Sequence, residues 1–190
     1  MRVLVVEPPQ PVVSLDRAKE HLRVRHDDEG ALIAAYVAAA SGSIDGPDGW
    51  LGRALGVQTL EIWLPTFGTC GWISLPYPPA IEVQAVEYFD EAGDLVTLDA
   101  EAYTLRCDML RPAWPQSFPA AAWRGATGDA LRIEWTAGYE VMPAPIEAAI
   151  LLMVGDLYAH RETAVSGMAA AAIPMSTTVE NLLAPFRVYA

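Results

Sequence analysis

Lysine is nearly missing: of twelve basic residues eleven are Arg and only Lys19 is lysine, against 24 acids, for a formal charge of −12 over 190 residues. That deficit excludes a protein that grips nucleic acid through its phosphates, which needs a basic footprint. Cysteine is scarce too. Cys70 and Cys107 form no C-x-x-C pair and lie far apart in sequence; a bridge is open to them, but two thiols read more simply as reduced, cytosolic residues. Long hydrophobic runs are also lacking. The longest apolar block lies within Ile146 to Tyr158, and Asp156 cuts it well short of the ~20 residues a membrane span requires. Met1 to Val6 meets Pro8, Pro9 and Pro11 at once, too short for a secretory segment. The expectation is a soluble protein made in the cytoplasm.

What is present is a core-forming composition, 53% apolar and 19% charged, long enough for one domain. The acidity is concentrated: residues 31–140 hold five bases and fourteen acids, while both ends are nearly neutral. The N-terminal part, residues 1–56, reads as helical. Ser14 is a plausible N-cap with Asp16 in the first turn, and Leu15, Ala18 and Leu22 share a face. Asp27 or Asp28 is placed to cap a second helix over 28–45, with a stripe of Leu32, Ile33, Tyr36, Val37, Ala40 and Ile44, ended by Gly46-Pro47-Asp48-Gly49.

Residues 57–140 read as strands. Val57 to Leu64 alternates, with Leu60, Ile62 and Leu64 on one face. Ile81 to Phe89 turns through Asp90-Glu91-Ala92-Gly93-Asp94 into Leu95 to Leu98, a hairpin. Tyr103 to Leu105 and Ala130 to Ala137 are further strands. Seven prolines between 65 and 119 predict a small, edge-rich sheet. Residues 141–190 return to helix. Pro143 and Pro145 suit a first turn, and Ile146, Ile150, Met153, Val154, Leu157 and Tyr158 follow at helical spacing to about Glu162, roughly 27 Å. Ser166 to Pro174 reads as a mobile connection. Ser176 or Thr177 caps a last helix that Pro185 stops, leaving Phe186 to Ala190 as an apolar, aromatic tail. The fold class expected is α+β, with N- and C-terminal helices forming a helical body and a small antiparallel sheet in the middle of a single 1–190 domain.

Catalytic motifs are absent: no phosphate-cradling glycine loop, no G-x-S-x-G, no H-E-x-x-H. His21 and His26, with Asp27 or Asp28, are too few ligands for zinc. Asp90, Glu91 and Asp94 lack the alternation and closing Glu of a calcium loop. Glu101 and Asp108 are the one imaginable carboxylate pair, though spacing alone does not join them. Six tryptophans (Trp50, Trp63, Trp72, Trp114, Trp123, Trp135) suggest a stacking platform, but their surroundings are acidic rather than basic. Core packing and subunit contacts are the preferred reading. No enzyme, cofactor or metal is expected. The rival readings are a small-ligand or glycan-binding module built on the Trp-rich middle, and an enzyme without a recognisable motif.

Several segments, in order, resemble one family. They are Ser14-Leu15-Asp16-Arg17-Ala18-Lys19-Glu20-His21-Leu22, His26-Asp27-Asp28-Glu29 with Ala31-Leu32-Ile33, and Gly52 to Thr59. Leu75-Pro76-Tyr77-Pro78-Pro79, Tyr88-Phe89-Asp90 with Gly93, and Thr136-Ala137-Gly138-Tyr139 follow. Last come Pro143 to Tyr158 with Arg161 and Glu162, and Leu182 to Tyr189. The series, spanning about residues 13–189, resembles the head–tail connector or adaptor proteins of tailed phages, prophages and gene transfer agents. The resemblance implies a virion protein of the neck, assembled in the bacterial cytoplasm as a ring, typically of twelve copies, beneath the portal protein. It extends the DNA channel towards a tail-side neck or stopper protein, touching no membrane and binding DNA without specificity. It also implies that the C-terminal segment docks on the portal, through Leu183, Pro185, Phe186, Arg187, Val188 and Tyr189. The strand-rich 57–140 region departs from the most compact members. An acidic chain suits a conduit through which DNA must slide without sticking.

Overall fold

The computed structural model describes residues 3–68, 71–119, 129–160 and 175–189. The Cys70 and Trp123 readings, Arg161 and Glu162, and the Ser166–Pro174 connection lie outside the described residues. The chain divides into two compact units, Met1–Gln10 with Arg53–Glu140, and Pro11–Gly52 with Val141–Ala190. The architecture is α+β. Among the described residues no helix is long and apolar enough to cross a membrane.

The first unit is built on β8 (Leu131–Ala137), whose strict alternation buries Leu131, Ile133, Trp135 and Ala137 and turns Arg132, Glu134 and Thr136 to the other face. It pairs antiparallel with β2 (Gln58–Leu64) in unbroken register from Gln58 opposite Ala137 to Leu64 opposite Leu131. On its other side lies β4 (Ala80–Phe89), which the expected hairpin joins to β5 (Leu95–Thr97). The N-terminus completes the sheet, in the order β1-β2-β8-β4-β5. The N-terminal helices expected within residues 1–56 begin after Ser14, and no strand was expected before them; Val3–Glu7 form β1, paired antiparallel with β2. Four apolar residues followed by Glu7, without alternation, give no period to read. Partners more than fifty residues away decide its conformation.

A second, three-stranded sheet has the order β3-β7-β6, from β3 (Ile73–Ser74), β6 (Tyr103–Arg106) and β7 (Met109–Pro112). Its Ile73 and Leu110 join Leu60, Ile62, Val86, Leu131, Ile133 and Trp135 in one core. Each such side chain fully buried contributes about 1.5–3 kcal/mol. Gly138 shows why the sheet's end is tight: at φ +125, a Cβ there would lie 2.4 Å from the Gly56 carbonyl oxygen.

Among its described residues the second unit holds four α-helices. Ser14 caps α1 (Leu15–Leu22) as expected, its hydroxyl accepting from the Arg17 amide at 3.2 Å. Only Ala18 of the expected α1 face is buried, and Leu15 stays exposed. α2 (Gly30–Gly42) buries Ile33, Val37 and Ala40. Its cap differs from expectation. Glu29 occupies the position and its side chain makes no capping bond to the helix, while Asp27 accepts from the Lys19 ammonium at 2.6 Å. That hydrogen bond holds the Asp27 carboxyl below its ordinary range. α3 (Ala144–Ala159) enters at Pro143 and buries Ile146, Ala149, Ile150 and Val154. Glu147 on it accepts from Arg17 at 2.9 Å, and the Tyr158 hydroxyl donates to Glu29, tying α3 to α1 and the start of α2. Ser176 caps α4 (Thr177–Leu183), accepting from the Val179 amide at 3.4 Å.

Candidate functional site

The C-terminal segment is the site the sequence singles out, and its local geometry follows from its caps. Val179 and Leu183, four apart on α4, are both fully buried. Leu183 therefore secures the segment from inside its unit. Pro185 does not simply stop the chain; it sits in a 3-10 turn, Ala184–Phe186. From Arg187 the backbone is extended. The Val188 amide then donates to the Leu51 carbonyl at 2.9 Å. The Arg187 guanidinium carbon lies 4.0 Å from the Trp50 ring centroid and 4.9 Å from that of Tyr189. One cation thus serves two aromatic faces, a contact worth about 0.5–1 kcal/mol at an exposed site.

The tail accordingly lies along residues 50–52 of its own unit. Pro185 remains exposed and Tyr189 is 77% exposed, while Phe186, Arg187 and Val188 are half-buried. Trp50 and Gly52 are the partners that sequence reasoning missed. Gly52 has φ +63, and a Cβ on it would lie 2.8 Å from the Val188 carbonyl oxygen. Gly52→Ala is expected to lower stability by about 1–2 kcal/mol, since it combines the left-handed penalty with that clash. Faster proteolysis after Phe186 in the folded variant should accompany it; unchanged melting and cleavage would remove the role given to Gly52.

A cleft of about 360 Å³ lies in the same unit, lined by Ala39, Ala40, Met153, Leu157 and Val179 together with the polar Ser43, Asp156, His160 and Ser176. Its lining is largely apolar.

The imagined catalytic and metal sites separate into structural roles. His26 faces Asp28 at 3.7 Å and Glu29 at 4.0 Å. Among the described residues no group of three His, Cys, Asp or Glu is placed to hold a metal. Asp90 accepts from the Ala92 and Asp94 amides and shapes the hairpin turn. Asp108 accepts from the Ala80 amide at 2.7 Å, whereas Glu101 donates its own amide to Asp99; the structure does not bring the two together as a pair. Cys107 is an exposed thiol.

The most charged constellation lies on the polar face of the five-stranded sheet. Arg132 donates to Glu61 at 2.6 Å, Glu87 at 2.7 Å and Glu134 at 2.5 Å, and the Trp63 indole donates to Glu61 at 2.8 Å. The guanidinium is held above its ordinary range, first by the Glu87 hydrogen bond and then by Glu61, against the opposing effect of burial. Three carboxylates around one guanidinium leave the cluster with net negative charge, which disfavours a substrate anion there. Arg132 staples β2, β4 and β8.

No family model matches the chain, and neither does any curated protein. Solved structures do match, over the whole chain. It is 22% identical to a chain in the neck of an empty gene transfer agent particle computed with C6 symmetry, with a TM-score of 0.76, covering 100% of this chain and 97% of that one. A chain in the virion of a native gene transfer agent particle matches with the same identity and coverage and a TM-score of 0.74. The chain shares its fold with a gene transfer agent neck protein. A chain in the neck of the native particle computed with C12 symmetry shares the neck fold as well, at 21% identity and a TM-score of 0.62. The neck fold includes the strand-rich region, because the match extends over every part of the chain. That region is therefore part of the architecture shared with these chains.

Proposed function

We propose that this protein is a structural head–tail adaptor of a tailed phage-like particle. It assembles with itself into a ring of twelve copies beneath the portal and joins it to a tail-side neck or stopper protein. The observation that carries this reading is the full-length likeness to chains of gene transfer agent necks. The C6 and C12 symmetries with which those necks were computed favour a ring, and the C12 case favours twelve copies. The charge of −12 per copy favours a channel that repels phosphate and lets DNA slide. An assembly part needs no catalytic group, which agrees with carboxylates engaged in backbone caps and in the Arg132 staple.

In this reading the C-terminal segment docks on the portal. Leu183 anchors the arm, Pro185 and Tyr189 present its free surface, and Phe186, Arg187 and Val188 supply the half-buried remainder. Aromatic and Arg side chains are those that most often dominate interfaces.

Purified particles test the role. The chain is expected to co-sediment with DNA-filled particles and to remain bound through washing at high salt. Absence from particles, with a discrete monomer in the cell extract, would refute it.

A further inference from the structure

Within this acidic chain one surface is basic and aromatic, and it lies on the outer face of the three-stranded sheet. Alternation along β7 places Leu110 in the core and puts Met109 and Arg111 outside. On β6, Leu105 faces inward with Leu110, while Arg106 lies opposite Met109 and Thr104 opposite Arg111. Arg106 and Arg111 therefore share the outer face as diagonal neighbours. Both are exposed. Among the described residues neither makes an ion pair. The Arg111 guanidinium lies 5.9 Å from the ring centroid of Trp72, which is 47% exposed, and it touches the Met109 sulfur. Trp114, just beyond β7, is 95% exposed. Two like charges held side by side without a counter-ion, next to an exposed tryptophan and a methionine, form a surface waiting for an anionic, partly apolar partner.

The same unit carries a surface of that description. The β4–β5 hairpin tip holds Asp90, Glu91 and Asp94, and Asp90 is used internally to fix the turn. Glu91 and Asp94 are exposed, and Leu95 beside them is 48% exposed. Tip and basic face match in sign and in apolar content.

We propose that the hairpin tip of one copy docks on the Arg106–Arg111 face of the next, and that this contact is a subunit interface of the ring. The proposal rests on the ring reading above and names the surfaces that close it. Two different patches that fit each other make a heterologous, head-to-tail contact, which is the kind that closes into a cyclic ring. A two-fold pairing of like patches would set Arg against Arg and carboxylate against carboxylate. The two apolar anchors, Trp72 and Leu95, supply the buried area. The exposed charges set register and exclude wrong partners, because rim ion pairs by themselves contribute little affinity. DNA is the weaker occupant of the basic face: two arginines in a chain of net charge −12 make a small phosphate footprint.

Charge swapping tests the interface. R106E/R111E and E91R/D94R alter exposed side chains, so each variant should keep the wild-type melting profile. Sedimentation velocity over a concentration series and the amount of chain retained in purified particles are then read for each. Either pair alone should weaken self-association at least about tenfold and deplete the chain from particles, and the quadruple variant should restore both. Wild-type behaviour from either pair, or no rescue in the quadruple variant, overturns the interface while rings found in particles leave the ring reading standing. A wild-type chain that neither self-associates nor enters particles fails the ring reading itself. If the arginine reversal abolishes binding of a duplex oligonucleotide and spares self-association, the face belongs to DNA and the proposal is wrong.

Discussion

Deleting Pro185 to Ala190 is expected to yield a folded, soluble protein and particles that package DNA but carry no tails. The structural cost of the deletion is small. It removes the Val188–Leu51 hydrogen bond and the Arg187–Trp50 stack, which together amount to about 1–3 kcal/mol. Val179 and Leu183, the residues that bury α4, remain. The functional cost is total if the segment is the arm that holds the ring to the portal. Electron microscopy of the products and melting of the purified variant separate the two effects. Normal tailed particles would refute docking, and an unfolded variant would show that the tail's contacts within its own unit are what matter.

Replacing Arg132 by Met should cost the most stability of any single exposed-face substitution. The methionine keeps much of the side-chain volume but leaves Glu61, Glu87 and Glu134 facing one another, each about a fifth exposed or less. Removing one partner from a partly buried ionic cluster costs about 3 kcal/mol near neutral pH. The direction of the pH dependence follows from proton counting. In the wild type Arg132, held above its ordinary range, stays charged at every accessible pH. Its own contribution is thus fully present below the unfolded guanidinium value and constant between about pH 4 and 8. In the variant the uncompensated carboxylates favour the protonated form in the folded state, so stability gained at low pH is lost as pH rises. The gap between variant and wild type should therefore be largest above about pH 6 and shrink towards pH 4. Thermal melts across that range check it. A gap independent of pH would mean that lost packing, not charge, sets the cost.

The helical parts were the more legible because their signals are local. Ser14 and Ser176 cap the helices they were expected to cap, and Pro143 opens α3. The alternation of β8 and β2 and the Gly93 turn were legible for the same reason. What escaped depends on distant residues. β1 is a strand only because Ile62, Glu61 and Leu60 offer it an edge. β7 is four residues ending in proline, and its identity comes from pairing with β6 and β3. Asp27, expected as a cap, pairs with Lys19, eight residues earlier.

The candidate site divides in the same way. The tail stood out by composition and by the proline before it. Its resting place against Trp50 and Gly52 joins residues more than 130 positions apart, and no pattern near either end announces it. The basic face was hidden by averaging: Arg106 and Arg111 lie in the most acidic stretch of the chain, and only the β6–β7 register puts them side by side.

A density map of the intact neck, reconstructed without imposed symmetry, tests the central claim most directly. The account predicts twelve copies of this chain in a closed ring under the portal, with Tyr189 in contact with portal density. A neck whose density accommodates no copy of this fold would contradict it.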